Sequence, residues 1–268
     1  MHKNHWITAA KGLCVGGTML VPGVSGGSMA IILGIYDELV SSVSSFRKHK
    51  RKSALFLGVF CLGALLGMAL FAKPLMHLIE TYPKPMLYFF MGAVAGSVPM
   101  IFRKAGVRSI GPRQVLFFLL GLALIILFAL LPEVSVSMES GSKFVYLLLI
   151  LSGFLAAVAL VLPGISVSYM LLLMGMYDPT MQAINTLYLP YLLPLGAGLL
   201  IGIVPTTKLL EKALTRFPQE TYLMILAFLI GSVADIFPGV PSGIEILWCV
   251  ILAAAGFAAI YFISLSDA

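Results

Sequence analysis

The sequence predicts an all-α polytopic membrane protein built as an inverted-topology repeat, each half a re-entrant Pro-Gly-x-Ser helical hairpin plus three transmembrane helices. Three observations carry this reading. Of 268 residues, 60% are hydrophobic and only 10% charged, whereas soluble domains carry roughly 25% charged residues. The passage LVPGVSGGSMAIILGIYDEL at 20–39 returns as VLPGISVSYMLLLMGMYDPT at 161–180. Lys and Arg collect in loops that an inverted arrangement would place on one face of a bilayer.

The mean hydropathy of +1.04 leaves no polar stretch long enough for a soluble domain, so 1–268 reads as a single membrane domain. The three cysteines, Cys14, Cys61 and Cys249, sit in apolar runs without a CxxC or Cys/His cluster, which supports neither a disulfide framework nor a metal site. MHKNHWITAA lacks a small-residue cleavage site after a short apolar core and is not read as a signal peptide. The net charge of +6 lies in short loops between apolar spans. That distribution is topological, and no nucleic-acid partner is expected.

A lipid-crossing helix needs about 20 apolar residues. Segments 54–72, 85–102, 115–131, 188–207, 222–237 and 244–263 meet or approach that length. Those flanking the two repeated passages do not. Residues 6–21 are short and contain Lys11, 29–43 contain Asp37 and Glu38, and 167–177 are shorter still. Segment 144–162 could span alone. Repeat 1 is accordingly placed at 1–131 with its hairpin at 6–44, and repeat 2 at 144–268 with its hairpin at 144–186.

The duplication extends beyond the motifs. After a small gap, Gly63, Gly67 and Lys73 match Gly198, Gly202 and Lys208, Pro83 matches Pro218, and GSVPMIF at 96–102 matches GSVADIF at 231–237. Of the 17 Lys and Arg, all but Lys73, Lys84 and Lys143 fall on one side when the basic loops are placed in the cytoplasm. The loop after the first motif is then cytoplasmic and the loop after the second external. The halves therefore cross in opposite senses, as in secondary transporters with a central site. Both termini are expected in the cytoplasm. Charge counting does not separate a re-entrant hairpin from two full spans, because both return to the same side. The short arms and the Pro-Gly breaks favour the hairpin.

Broken backbone at membrane depth survives only inside protein or against a wet cavity. Pro22, Gly23, Pro163 and Gly164 mark the helix breaks. Ser25, Gly26, Gly27 and Ser28, with Ser166 and Ser168, offer hydroxyls and exposed amides suited to a phosphate or carboxylate. Ser25 and Ser166 can equally be read as helix caps. Asp37 and Asp178 match across the repeat and are candidates for proton or charge coupling, or ordinary helix-end polar residues. Lys73 and Lys208 could draw an acidic head group inward, or simply snorkel. The glycine pairs Gly63/Gly67, Gly92/Gly96 and Gly198/Gly202 need only close helix packing to explain them. No catalytic residue and no cofactor is assigned.

The two motifs, VPGVSGGSMAIILGIYDEL and LPGISVSYMLLLMGMYDPT, resemble the signature pair of a bacterial family long called a domain of unknown function and now associated with polyprenyl-phosphate translocation, the PopT family. The resemblance covers essentially the whole chain. It implies a transporter in the bacterial cytoplasmic (inner) membrane that returns undecaprenyl phosphate, the carrier lipid of cell-wall synthesis, from the outer to the cytoplasmic leaflet. It places function on Pro22, Gly23, Ser25, Gly26, Gly27 and Ser28, and on Pro163, Gly164, Ser166 and Ser168. Two positions depart from the family pattern: Met19, where Asp or Asn is expected, and Val167, where glycine is expected. A homo-oligomer is left open.

Physical chemistry is compatible with such a lipid. An isoprenoid tail can stay in the bilayer while only the phosphate crosses, and a bare buried anion would cost tens of kcal/mol. Inward movement also opposes a negative-inside potential by about 2.3 kcal/mol per charge per 100 mV, so proton coupling is expected. A secondary transporter of a small anion is the alternative the residues leave open. An intramembrane polyprenyl-pyrophosphate phosphatase is disfavoured, because Gly26 and Val167 follow the motif serines where that enzyme would need Arg, and no paired Glu lies in a span.

Overall fold

A computed structural model describes residues 5–19, 25–106, 111–130 and 143–266. Among these the regular structure is entirely helical. The first half holds α1 (His5–Thr18), α2 (Gly26–Ile32), α3 (Tyr36–Ser44), α4 (Lys50–Thr81), α5 (Pro83–Ala105) and α6 (Pro112–Ala129). The second holds α7 (Lys143–Val161), α8 (Val167–Leu173), α9 (Tyr177–Asn185), α10 (Leu189–Arg216), α11 (Pro218–Ile236) and α12 (Glu245–Ser266). Four helices are long and apolar enough to cross a membrane: Lys50–Phe71, Pro83–Ala105, Leu189–Arg216 and Glu245–Leu265. The segments predicted at 115–131 and 222–237 fall in shorter apolar helices, Pro112–Leu127 and Pro218–Ala234. Large apolar side chains such as Leu62, Leu65, Leu200 and Leu247 stand exposed on the long helices, as a polytopic membrane protein requires.

Four helix pairs build the frame, and glycine sets their spacing. A Cβ on Gly63 would lie 2.3 Å from the Ala9 carbonyl oxygen, and one on Gly67 2.0 Å from that of Leu13. These contacts advance in step, so α1 and α4 run parallel. The same arrangement joins α7 to α10, with Gly198 against Ile150 and Gly202 against Phe154. Without side chains in the way, backbones approach closely and dispersion contacts accumulate.

The other two pairs cross between the halves. α5 lies parallel to α12, with Gly92 against Ala253 and Gly96 against Phe257. Lys84 pairs with Glu245 at 2.9 Å where both helices start, and the Arg103 guanidinium donates to the Ser264 carbonyl at 3.0 Å where both end. α6 pairs likewise with α11, through Gly121 against Met224, Gly231 against Ile125, and an Arg113–Glu220 ion pair of 2.7 Å.

The motif arm expected as one helix over 29–43 is two. α2 stops at a Schellman closure: the Gly34 N–H donates to the Ile31 carbonyl and the Ile35 N–H to that of Ala30, both at 2.9 Å, with Gly34 at φ +67°. Gly175 (φ +65°) repeats the closure after α8, through Leu172 and Leu171. The glycine shared by the two motifs is therefore a stop signal. α2 sits in the core, with Met29, Ala30, Ile31 and Ile32 all buried beside Ile101 and Leu226.

The packing is not symmetric. α3 lies against α10, while α9 makes no comparable contact with α4 among the described residues.

Gly67→Leu should destabilise the protein by about 1–3 kcal/mol or more through overpacking, whereas Gly58→Leu, facing open space, should be nearly neutral. Melting temperature in detergent, read side by side for the two variants, checks this.

Candidate functional site where the broken helices meet

α1 ends with the Thr18 hydroxyl bonded back to the Cys14 carbonyl at 2.8 Å. Pro22 and Gly23 lie outside the described residues. The chain re-enters helical structure at Ser25, whose Oγ accepts the Ser28 N–H at 3.2 Å, and the Ser28 hydroxyl donates to the same oxygen at 3.3 Å. Ser25 is thus a helix cap in the structure.

The second break has a different lock. Pro163 is fully buried. Gly164 adopts φ +82°, and a Cβ there would fall 2.5 Å from the Phe228 carbonyl oxygen, so both backbone angle and space demand glycine. Ser166 caps α8 by accepting the Tyr169 N–H at 3.4 Å.

The two breaks touch. The Gly164 N–H donates to the Ser28 hydroxyl oxygen at 2.9 Å, and the Tyr36 hydroxyl donates to the Val161 carbonyl, the last of α7, at 2.7 Å. Gly27 faces Pro163 so closely that a Cβ would lie 3.2 Å from the Pro163 Cα. Residues of the first motif therefore satisfy backbone groups that the second break frees. Of the sequence-predicted set, Ser25, Ser28, Gly27 and Gly164 converge here and are buried; Gly26 and Ser166 are half-buried, and Ser168 is exposed.

The relatedness of the chain is decided by comparison. A family model described as undecaprenyl phosphate translocase-like matches residues 15–246. The chain belongs to that family. It is 32% identical over 270 residues, covering 94% of this chain and 93% of the relative, to a protein of Staphylococcus aureus (strain NCTC 8325 / PS 47) named polyprenyl-phosphate transporter. A protein of the same name from Vibrio cholerae serotype O1 is 31% identical over 249 residues, covering 88% of this chain and 78% of the relative. Both names are those of a transporter and not of an enzyme. No solved structure matches.

Within this family member the aligned acids differ. The Asp37 Oδ2 accepts from the Lys104 ammonium at 2.5 Å and from the Tyr222 hydroxyl at 2.8 Å, while its Oδ1 is buried without a partner. Next to it the Ser44 hydroxyl donates to Glu211 at 2.5 Å. These contacts seal α3 onto α10 and α11, around a cavity of about 340 Å³ that Asp37, Glu211 and Tyr222 help to line. Asp178 instead stands exposed, without an ion pair among the described residues. Lys73 and Lys208 are exposed on α4 and α10.

Sequence reasoning missed Lys104, Tyr222, Ser44 and Glu211. Lys104 stood in a basic loop read only for topology. Tyr222 aligns with Leu87, so the repeat offered no hint.

Ser28→Ala would leave the buried Gly164 N–H without an acceptor, at a cost of about 1–3 kcal/mol. Its melting temperature in detergent should fall more than that of Ser168→Ala, whose hydroxyl is exposed.

Proposed function

We propose that this protein carries polyprenyl phosphate, undecaprenyl phosphate in particular, from the outer to the cytoplasmic leaflet of the bacterial cytoplasmic membrane, returning the carrier lipid to cell-wall and surface-polysaccharide synthesis. The observation that carries the reading is the direct contact of the two Pro-Gly-x-Ser breaks at Ser28 and Gly164, in a chain whose relatives are named for this lipid.

The architecture proposed is the inverted repeat, with halves at 1–131 and 144–268 and hairpins at 6–44 and 144–186. Helix directions support it. α1 and α4 start at one end of the molecule, and the Ser44–Glu211 contact brings the end of α10 to the start of α4. Asp37 gathers Lys104 from the end of α5 and Tyr222 from the start of α11. Matching helices thus point oppositely. The basic loops at that end favour the cytoplasm, which would place both termini there.

In this reading the phosphate binds where the breaks meet, held by Ser25, Gly26, Gly27 and Ser28 from one side and Ser166 and Ser168 from the other. Pro22, Gly23, Pro163 and Gly164 keep the backbone open. The phosphate would displace the Ser28–Gly164 hydrogen bond and take both groups as its own donors, which matches the low tolerance of buried donors for losing partners. The Asp37 cluster then acts as the closure at one end, and proton uptake by Asp37 would release Lys104 and Tyr222. Asp178 is its counterpart at the other end. Lys73 and Lys208 draw the head group from the membrane surface.

The test is leaflet exchange in liposomes loaded with undecaprenyl phosphate, followed by accessibility to an external impermeant phosphatase. Hydrogen bonds to a charged group contribute about 1.5–3 kcal/mol each, so Ser25→Ala with Ser166→Ala should slow exchange by about a hundredfold or more. Wild-type protein that leaves the inner pool protected under every pH gradient would refute the lipid substrate. Asp37→Asn should abolish the response of exchange rate to an imposed pH gradient; an unchanged response would remove Asp37 from the coupling.

A further inference from the structure

We propose that an apolar crevice between α4 and α10 seats the isoprene units nearest the phosphate of the carried lipid, an inference that rests on the function proposed above. The crevice holds about 220 Å³, and Gly26 and Gly27 form part of its wall. The phosphate site proposed above uses the same two glycines. Head group and first isoprene unit are covalently joined, so a phosphate at these glycines must place the start of its tail within reach of this recess.

The lining selects hydrocarbon. Val40 of α3, Phe60 and Cys61 of α4 and Ile203 of α10 surround it, and no charged side chain does. Two polar side chains reach the wall, and both are spent on backbone. The Tyr36 hydroxyl donates to the Val161 carbonyl at 2.7 Å, and the Thr207 hydroxyl to that of Ile203 at 2.8 Å. Neither hydroxyl on the wall is therefore free for water or phosphate, and away from Gly26 and Gly27 a polar occupant would lose its hydrogen bonds on entering.

It also opens in the direction a lipid would need. Cys61 is exposed and lines the crevice from α4, and half-buried Ile203 faces it from α10. The mouth is thus lateral, toward the hydrocarbon that surrounds these helices. A drug-sized pocket holds roughly 300–1,000 Å³, so this smaller recess takes a few branched units and leaves the rest of the chain in the bilayer. Such a division lets one site accept lipids of different overall length while still reading the units beside the phosphate.

The experiment uses the full chain in phospholipid liposomes with a polyprenyl phosphate carrying a diazirine on its first isoprene unit. After photolysis, adducts are mapped by peptide mass spectrometry, with leaflet exchange measured on the same preparation. Adducts are expected on α3 and α4, at and around Val40 and Cys61. Excess geranylgeranyl phosphate should suppress them, and equal phosphatidic acid should not. Cys61→Trp fills the mouth from an exposed position and should cut labelling by about tenfold, since each buried methylene contributes several-fold to binding. Wild-type protein that exchanges lipid while its adducts spread over α6 and α12, or while Cys61→Trp labels normally, would overturn the crevice and leave the proposed function standing. Equal competition by phosphatidic acid would overturn the isoprenoid assignment in favour of a general acyl-chain slot. Absence of exchange and labelling together would overturn both readings.

Discussion

A backbone amide or carbonyl freed by a broken helix and buried inside the protein has no water to turn to, and leaving it unpaired costs several kcal/mol. The fold is organised around meeting that demand. Val161 ends α7 with an orphan carbonyl, and Gly164 opens the next turn with an orphan N–H. Both find partners on the other half of the chain, in Tyr36 and Ser28. The first motif is therefore part of the second motif's backbone structure. Because these bonds join separate segments, the position of α2 fixes that of the second break, and the core around Ile32, Ile101 and Leu229 holds α2 in turn.

Glycine contacts supply the stiffness against which the centre is held. Three of the parallel pairs are pinned where a Cβ would collide with a carbonyl oxygen, and α6–α11 where it would meet side-chain carbons of Ala227 and Ile125, which leaves little freedom to slide. The two pairs that join the halves are closed at their starts by ion pairs, Lys84 with Glu245 and Arg113 with Glu220. Such pairs are half-exposed and contribute little stability on their own, but they fix the register of helices whose apolar faces would tolerate several. Against this frame stands the asymmetry of the smaller helices. α3 is tied to α10 and α11 through Asp37 and Ser44, while α9 makes no comparable contact with α4 among the described residues.

Much of this was legible in the sequence, for identifiable reasons. Long apolar runs report membrane helices directly, which is why α4, α5, α10 and α12 were found. The repeated Pro-Gly-x-Ser passages report breaks, because Pro and Gly act locally on backbone geometry. The small-xxx-small spacing of Gly63 and Gly67 announced close packing, and the structure places them against Ala9 and Leu13. The shared Gly34 and Gly175 also carried a stop signal in plain view, but the apolar residues around them read as one continuous arm. What stayed hidden depends on contacts between distant segments. Nothing near Lys104 indicates that it reaches Asp37, and nothing near Ser28 that it accepts from Gly164. The repeat was a poor guide here because Tyr169 occupies the position of Ser28.

The exchange of partners between α5 and α12, and between α6 and α11, bears on whether either half could fold alone. Each half contributes one member to both crossing pairs. Separated from the other, a half would leave Gly92, Gly96 and Gly121, or Gly231 and Gly256, without the helix each packs against. The outer helices can therefore close only once the chain has been made through to α12.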